Sequence, residues 1–376
     1  MNLHIAGTGW VTPLGSGTDE VWRRLLQGDR AEVSQICDSL GAGAYPVFRV
    51  PATALHHLPP HPRLRRASAI SRFAAAAGLA ALADAKVMPN QLDSEKIALV
   101  FAVANGGVIY TKRFYSDVVA TGAEAASPLL FPETVFNAAA SHLAAIIGLT
   151  GTTYTVVGDG TVGLTGLKVG QDLMSDPNLD YCLVVAAEEA DWLLCDAYSK
   201  WRLLRSTGPL EVFGKSAKGT ILSEGAGAVL LSRTGSVAIS ATTGGMHFKA
   251  RHEAAPALSQ VLKAVGSPDN AIIVSSANGT FVDAAEAAAF QEVTPNGLLY
   301  SPKAALGEGV GAAGLWQVII AALALRHQAL PVPQYPEPEN PSRNHSFSLG
   351  DRDEVTVLSC GLGQQIGAAR LIRSRP

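Results

Sequence analysis

Short apolar runs rich in β-branched residues alternate along this chain with alanine-rich stretches of helical length. That alternation restricts the fold more than any other feature. The runs at 3–6, 97–103, 152–157, 181–186 and 228–231 read as strands, and so do those at 237–240, 271–275, 355–358 and 369–372. Between them, 72–85, 135–147, 284–292 and 311–326 read as helices. Strands that are continuously apolar, rather than alternating with polar residues, need helices on both faces of their sheet, so an α/β protein is expected. The strand series runs twice, with a joint near 232–237. Residues 331–341 hold five prolines and are expected to form an irregular connection, while 41–62 and 63–66 read as surface loops.

With 376 residues the chain has room for two ordinary domains or one large layered one. Charged residues make up 16%, against roughly 25% in an average soluble domain, and apolar residues reach 48%. Disorder is therefore excluded. The 37 glycines follow no three-residue period, which excludes a collagen-like chain. A net charge of −3 gives no electrostatic argument for nucleic acid. The longest apolar stretch, near 318–325, falls short of the ~20 residues that span a bilayer, so no membrane span is expected. The opening Met-Asn-Leu-His-Ile-Ala-Gly lacks the pattern of a signal peptide, and a cytoplasmic location is expected. Cys37, Cys182, Cys195 and Cys360 lie far apart, without metal-ligand spacing; no metal or cofactor is expected, and burial should leave all four poorly reactive. A mean hydropathy of +0.20 points to much surface buried inside the fold or against a partner.

Residues 154–174 are the most informative segment. A strand, Tyr-Thr-Val-Val, runs into Gly158-Asp159-Gly160, and a helical stretch follows. Gly163, Gly166 and Gly170 fall on one face of that helix. Each glycine there costs ~1 kcal/mol relative to alanine, so the face should press closely on another backbone. The helix should be deeply buried, with its N-terminal dipole aimed at whatever lies over 158–161.

Several segments together resemble the β-ketoacyl synthase family. Ala-Gly-Thr-Gly-Trp-Val-Thr-Pro-Leu-Gly at 6–15 is similar to the family's opening, and 21–28 to its first helix. Phe-Pro-Glu-Thr-Val-Phe-Asn-Ala-Ala-Ala-Ser-His-Leu from Phe131 resembles the helix before the nucleophile strand. Leu-Ser-Glu-Gly-Ala-Gly from Leu222 resembles the glutamate–glycine motif and puts Glu224 on its structural glutamate. Ser276-Ala-Asn-Gly-Thr and Ser301-Pro-Lys-Ala-Ala-Leu-Gly-Glu-Gly stand where the two histidine motifs belong, and Ser359-Cys-Gly-Leu-Gly resembles the closing glycine loop. The resemblance covers nearly the whole chain, in order.

The reactive positions depart from the family's pattern. A condensing enzyme needs a thiolate at the N-terminus of the buried helix and two imidazoles to assist decarboxylation and stabilise the oxyanion. The resemblance puts Gly160 at the cysteine, Asn278 and Glu308 at the histidines, and leaves only Lys303 unchanged. Asn278 either donates to an acyl carbonyl or satisfies the pocket's own polar backbone. Glu308 would oppose an oxyanion, and is expected to pair with Lys303 or a backbone donor. Asp159, Asn278 and Glu308 could alternatively serve a hydrolase or decarboxylase. Cys360 occupies the closing loop. Arg63, Arg65 and Arg66 form, with Arg72, either a docking patch for an acidic acyl carrier protein or a solvated face.

The resemblance implies a five-layered αβαβα thiolase-like fold of two pseudo-symmetric halves, 1–235 and 236–376. It implies pairing through the strand ending near Val157 and the helix 135–147, with Val135, Asn137, His142, Tyr154 and Val156 at the interface. The function it implies is that of a non-catalytic, chain-length-factor-like subunit. Such a subunit pairs with an active ketosynthase in polyketide, aryl polyene or fatty-acid-type biosynthesis and shapes its acyl tunnel. A homodimeric acyl-binding protein is the other alternative.

Overall fold

Residues 97–103 and 181–188 are apolar or small almost throughout and buried on both faces, so a helical layer must lie on each side of them. They belong to one hydrogen-bonded path of strands: β1 (Leu3–Thr12), β2 (Ile97–Val103), β3 (Thr153–Val157), β4 (Tyr181–Glu188), β5 (Gly225–Ser232), β6 (Val237–Thr242), β7 (Ile272–Val274), β8 (Leu298–Tyr300), β9 (Glu354–Cys360) and β10 (Gln365–Arg373). The computed structural model describes residues 3–38, 43–89, 93–207, 209–214, 218–333 and 346–374. The expected proline-rich connection lies, from residue 334 onward, outside the described residues.

In space the path runs β8-β7-β9-β10-β6-β1-β5-β4-β2-β3. Counted outward from the central β1–β6 pair, each half reads first, fifth, fourth, second, third strand. Orientation repeats too. β2 is parallel to β3 and β4, while β4–β5 and β5–β1 are antiparallel. β7 is parallel to β8 and β9, while β9–β10 and β10–β6 are antiparallel. This is the pseudo-symmetry expected of the fold.

The helices make the other layers: α1 (Ala69–Asp84), α2 (Val108–Thr121), α3 (Ala138–Ile147), α4 (Val162–Leu173), α5 (Trp192–Lys200), α6 (Ala254–Ala264), α7 (Phe281–Val293) and α8 (Ala313–His327). α1 and α3 cover the outer face of the first half, and α6 and α7 the outer face of the second. α4 and α8 fill the middle. Five layers, αβαβα, result. α8 is apolar all round because protein surrounds it. The 18-residue stretch Val310–His327 is long and apolar enough to cross a membrane, but 89% of it is buried inside the fold.

Two close approaches depend on glycine. A Cβ on Gly7 or Gly9 would fall 2.1 Å and 2.3 Å from the carbonyls of Ala81 and Ala77, so β1 can lie directly on α1. A Cβ on Gly163 would fall 2.9 Å from the amide of Leu315, so α4 and α8 cross with their backbones nearly touching. Of the three glycines on that face only Gly163 makes the backbone contact the spacing predicts; Gly166 and Gly170 face side chains of β2, β4 and β5 instead.

Some elements differ from the expectations. β1 extends to Thr12, well beyond the expected run at 3–6, because its neighbours α1 and β5 supply the packing. Residues 41–62 are not all loop: Ala44–Phe48 is a strand paired with Val33–Cys37, with Val47 and Phe48 buried.

Candidate functional site

α4 begins at the centre of the molecule, immediately after β3, and its first turn faces the loop that joins β9 to β10. A Cβ on Gly160 would lie 3.3 Å from the Cα of Gly361. Asp159 ties the two segments together. Its Oδ1 accepts from the amide and the hydroxyl of Thr161, both at 3.1 Å, and its Oδ2 accepts from the amide of Gln365 at 3.1 Å. The Gln365 side-chain carbonyl accepts in return from the Asp159 amide at 3.1 Å, and the Ser359 hydroxyl donates to the Gly160 carbonyl at 3.3 Å. Burial pushes the Asp159 carboxyl above its ordinary range, against the pull of these hydrogen bonds. At the end of the buried helix there is thus no thiol, the Thr161 hydroxyl is held by Asp159, and that carboxylate is committed to the loop.

The two positions expected to hold imidazoles form a closed ionic network with Lys303. The Lys303 ammonium lies 2.6 Å from Glu308 Oε2, and the Asn278 amide donates to the same oxygen at 2.6 Å. Glu308 Oε1 accepts from the Val310 amide at 3.0 Å. The Asn278 carbonyl accepts from the Thr280 hydroxyl at 2.6 Å. All three side chains are buried, and their charges and dipoles satisfy one another, as burial requires. Glu308 makes both contacts that its burial calls for, to Lys303 and to a backbone donor.

Further buried groups surround these positions. Glu286 on α7 accepts from the hydroxyls of Ser275 and Ser276, and the Ser276 hydroxyl also accepts from the Cys360 amide at 2.7 Å. This cluster holds the Asn278 loop against the closing loop. Burial raises Glu286 to about 7 and the Cys360 thiol well above its ordinary value. Glu188, at the end of β4, accepts from the amides of Ala104 and Asn105 at 3.2 Å, and burial raises it to about 8. Among the described residues, its other oxygen and the Asn105 side-chain nitrogen, both buried, meet no hydrogen-bond partner. Tyr198 on α5 is pushed up by burial first, then by the charges of Glu308, Glu188 and Asp159, so it lies within electrostatic reach of all three. Sequence reading missed Tyr198, Glu286 and Gln365, whose sites form from segments distant along the chain. Only the Glu188-Glu189 pair ending an apolar run offered a signal.

The remaining candidates fall in separate places. Glu224 accepts from Arg49 at 3.0 Å and from the amides of Val50 and Ala190, which fixes the segment beside β5. Val135 and Tyr154 are exposed, and so are Phe131, Phe136 and Val157. Asn137 lines a groove of about 520 Å³ between α3 and β3, with Ala140, Ser141, Thr155 and Arg63. His142 instead turns inward to Glu133, at 2.5 Å, and Val156 packs partly on the core. Arg63, Arg65 and Arg66 are exposed but do not share one site, since Arg63 borders that groove and Arg65 a different cavity. The expectation of four buried cysteines needs correction: Cys37 is exposed, because it lies on a hairpin strand whose pairing leaves its side chain in solvent. Burial pushes Cys182 and Cys195 up to about 12. Among the described residues, no three His, Cys, Asp or Glu side chains gather as a metal site would require.

Comparison with known proteins matches this arrangement. The family profile "Beta-ketoacyl synthase, N-terminal domain" matches residues 54–236, and "Beta-ketoacyl synthase, C-terminal domain" matches residues 234–334. A 3-oxoacyl-[acyl-carrier-protein] synthase 2 from Vibrio cholerae is 22% identical over 358 residues, covering 87% of this chain and 86% of its own. The crystal structure of a β-ketoacyl synthase from Burkholderia phymatum superposes with a TM-score of 0.86 at 18% identity, covering all of both chains. The ishigamide ketosynthase/chain length factor superposes with a TM-score of 0.85 at 20% identity, covering 100% of this chain and 99% of its own.

Proposed function

The chain belongs to the β-ketoacyl synthase family, and from that premise we propose that it is a non-condensing member. In this reading it is a chain-length-factor-like subunit that pairs with an active ketosynthase in the cytoplasm and shapes its acyl tunnel. The observation that carries the reading is the combination of Gly160 at the head of α4 with the closed Asn278–Glu308–Lys303 network. Condensation needs a thiolate and donors aimed at a developing oxyanion; here the thiol is missing and a buried carboxylate replaces one donor. The Vibrio relative is named for 3-oxoacyl synthesis on an acyl carrier protein, and the substitutions separate this chain from that chemistry. The ishigamide structure pairs the same fold with a chain length factor, which supports a partnered role.

The exposed apolar residues around β3 and α3 favour pairing, and Arg63, Arg65 and Arg66 are candidate contacts for an acyl carrier protein. The system served would be polyketide, aryl polyene or fatty-acid-type biosynthesis. The hydrolase or decarboxylase alternative is disfavoured, because Asp159 and Glu308 each have their oxygens engaged by fixed donors.

The test is a condensation assay with malonyl and acyl thioesters of an acyl carrier protein, run with this chain alone and with the nearest-encoded intact ketosynthase. The chain alone should give no 3-oxoacyl product, and the pair should give products whose length changes when this subunit is exchanged. Condensation by the chain alone at ordinary ketosynthase rates would overturn the proposal.

A further inference from the structure

On the outer face of α1, away from the reactive positions, residues 51–64 form an arch over the helix. Pro51, Pro59, Pro60 and Pro62 stiffen it by fixing φ, and its two buried footings are Ala54 and Leu64. The Ser16 hydroxyl fastens the first footing, donating to the Ala54 carbonyl at 2.6 Å. The helix beneath presents Arg72, Ala76, Leu79, Ala80 and Ala83 along one stripe. Alanines there leave space that longer side chains would fill, and the stiff arch cannot settle into it.

Two cavities result, one on each side of Leu58 and Pro59, which line both. The inner one, about 380 Å³, has a mostly apolar lining that includes Ala76, Leu79 and Ala80. The outer one, about 510 Å³, is apolar at its base and bordered by His61, Arg65 and Arg72. Both fall within the ~300–1,000 Å³ of ordinary ligand pockets. Along the segment itself the charge is one-sided: from 39 to 83 the chain has five arginines, three histidines and no acidic residue, and the Glu133 carboxylate meets this segment at the Ser68 amide. Among the described residues, no carboxylate forms an ion pair with Arg65 or Arg72; Arg72 donates only to the Ala67 carbonyl, at 3.3 Å.

We propose that this two-chambered cleft binds an amphipathic anion, a straight-chain fatty carboxylate, with its tail in the inner chamber and its head between Arg65 and Arg72. The two chambers share Leu58 and Pro59, and the guanidinium groups of Arg65 and Arg72 border the outer one, so together they match a molecule that is apolar at one end and a planar anion at the other. The cleft uses no residue of the relic pocket, so the proposal stands or falls independently of the function proposed above.

The experiment is calorimetric titration of the full chain with sodium decanoate and, as an oppositely charged twin with the same tail, decyltrimethylammonium. Both are kept below micelle formation. Decanoate should bind to the wild type at least about tenfold more tightly than the cation. Arg65→Gln with Arg72→Gln should remove about that factor from decanoate binding while leaving the cation unaffected. Ala76→Phe, which fills the inner chamber, should abolish decanoate binding. Because Ala76→Phe could fail to fold, hydrogen exchange on the wild type gives a second readout, with decanoate expected to protect 52–64. No decanoate binding by the wild type, equal binding of both twins, unchanged binding by a folded Ala76→Phe, or protection absent from 52–64 would each overturn the proposal.

Discussion

Position 160, where the resemblance puts a cysteine, holds a glycine at the N-terminal end of α4, the end whose dipole would activate a thiol. Gly160→Cys would restore the thiol under the α4 dipole, yet it would face Asn278 and Glu308 where two imidazoles are needed. Losing one oxyanion donor typically costs ~10²–10³ in rate, and an anion nearby adds opposition. The variant is therefore expected to give no product above background in the condensation assay; near-normal turnover would contradict the reading of both other positions. Lys303 supplies a stability test. Lys303→Met leaves Glu308 buried without its cation and should cost about 3–5 kcal/mol by denaturant titration, and adding Glu308→Gln should recover much of it. Glu188 supplies a pH test. Burial raises it from its ordinary 4.5 to about 8, so between those values the folded state holds a proton that the unfolded state has released. Its contribution is fully present below pH 4.5 and lost as pH rises toward 8, with a slope of at most about 1.4 kcal/mol per pH unit. Glu188→Gln should flatten that decline in a stability-versus-pH series. Asn278, Lys303 and Glu308 were legible because they stand in motifs that keep their order. Gln365 was not, because it meets Asp159 across 206 residues of sequence.

Among the elements, β3 lies at one end of the strand path, as β8 does at the other, so among the described residues one of its edges has no partner. Tyr154 and Val157 on it are both exposed, and an apolar, unpaired edge strand is an aggregation hazard unless something covers it. The sequence shows the strand and its β-branched composition, but a periodic pattern does not tell which strand ends a sheet. It also treats Val156 as an interface residue, although that side chain packs partly on the core. The cleaner probe of the edge is Val157→Lys. On the free chain a charge at this exposed position should change stability by less than about 0.5 kcal/mol. Within a covered interface the same charge would be desolvated without a partner, which is heavily penalised. Pairing with the ketosynthase should be lost in size-exclusion chromatography while the thermal midpoint of the free chain barely moves. A Val157→Lys chain that still pairs would remove β3 from the interface.

For the whole molecule, the twofold repetition of strand order was visible only as a strand series that runs twice; three-residue β8 escaped notice because a run that short has no period to detect. What the sequence could not show is which surfaces the fold leaves uncovered. α2 has fourteen residues and none of them is buried, with Tyr115 and Val119 exposed on it and Leu129 and Phe131 exposed beyond it. Most helical stability in proteins comes from packing one face, so a helix of this length whose residues are at best half-buried is marginal in water. Composition argues the same way, since with 16% charged residues the chain has little means of keeping such a surface solvated. Covering α2 together with β3 and α3 calls for an interface of ~2,000 Å² or more, the size of a permanent pair. Co-expression with the nearest-encoded ketosynthase should therefore give a complex of one copy of each by size exclusion with mass detection. Amides of α2 should exchange rapidly in the free chain and slowly in that complex. A homodimer that ignores the ketosynthase would favour an acyl-binding protein without chemistry. A stable monomer whose α2 amides are already protected would sink the partnered reading altogether, because the helix would then be shown to need no second chain.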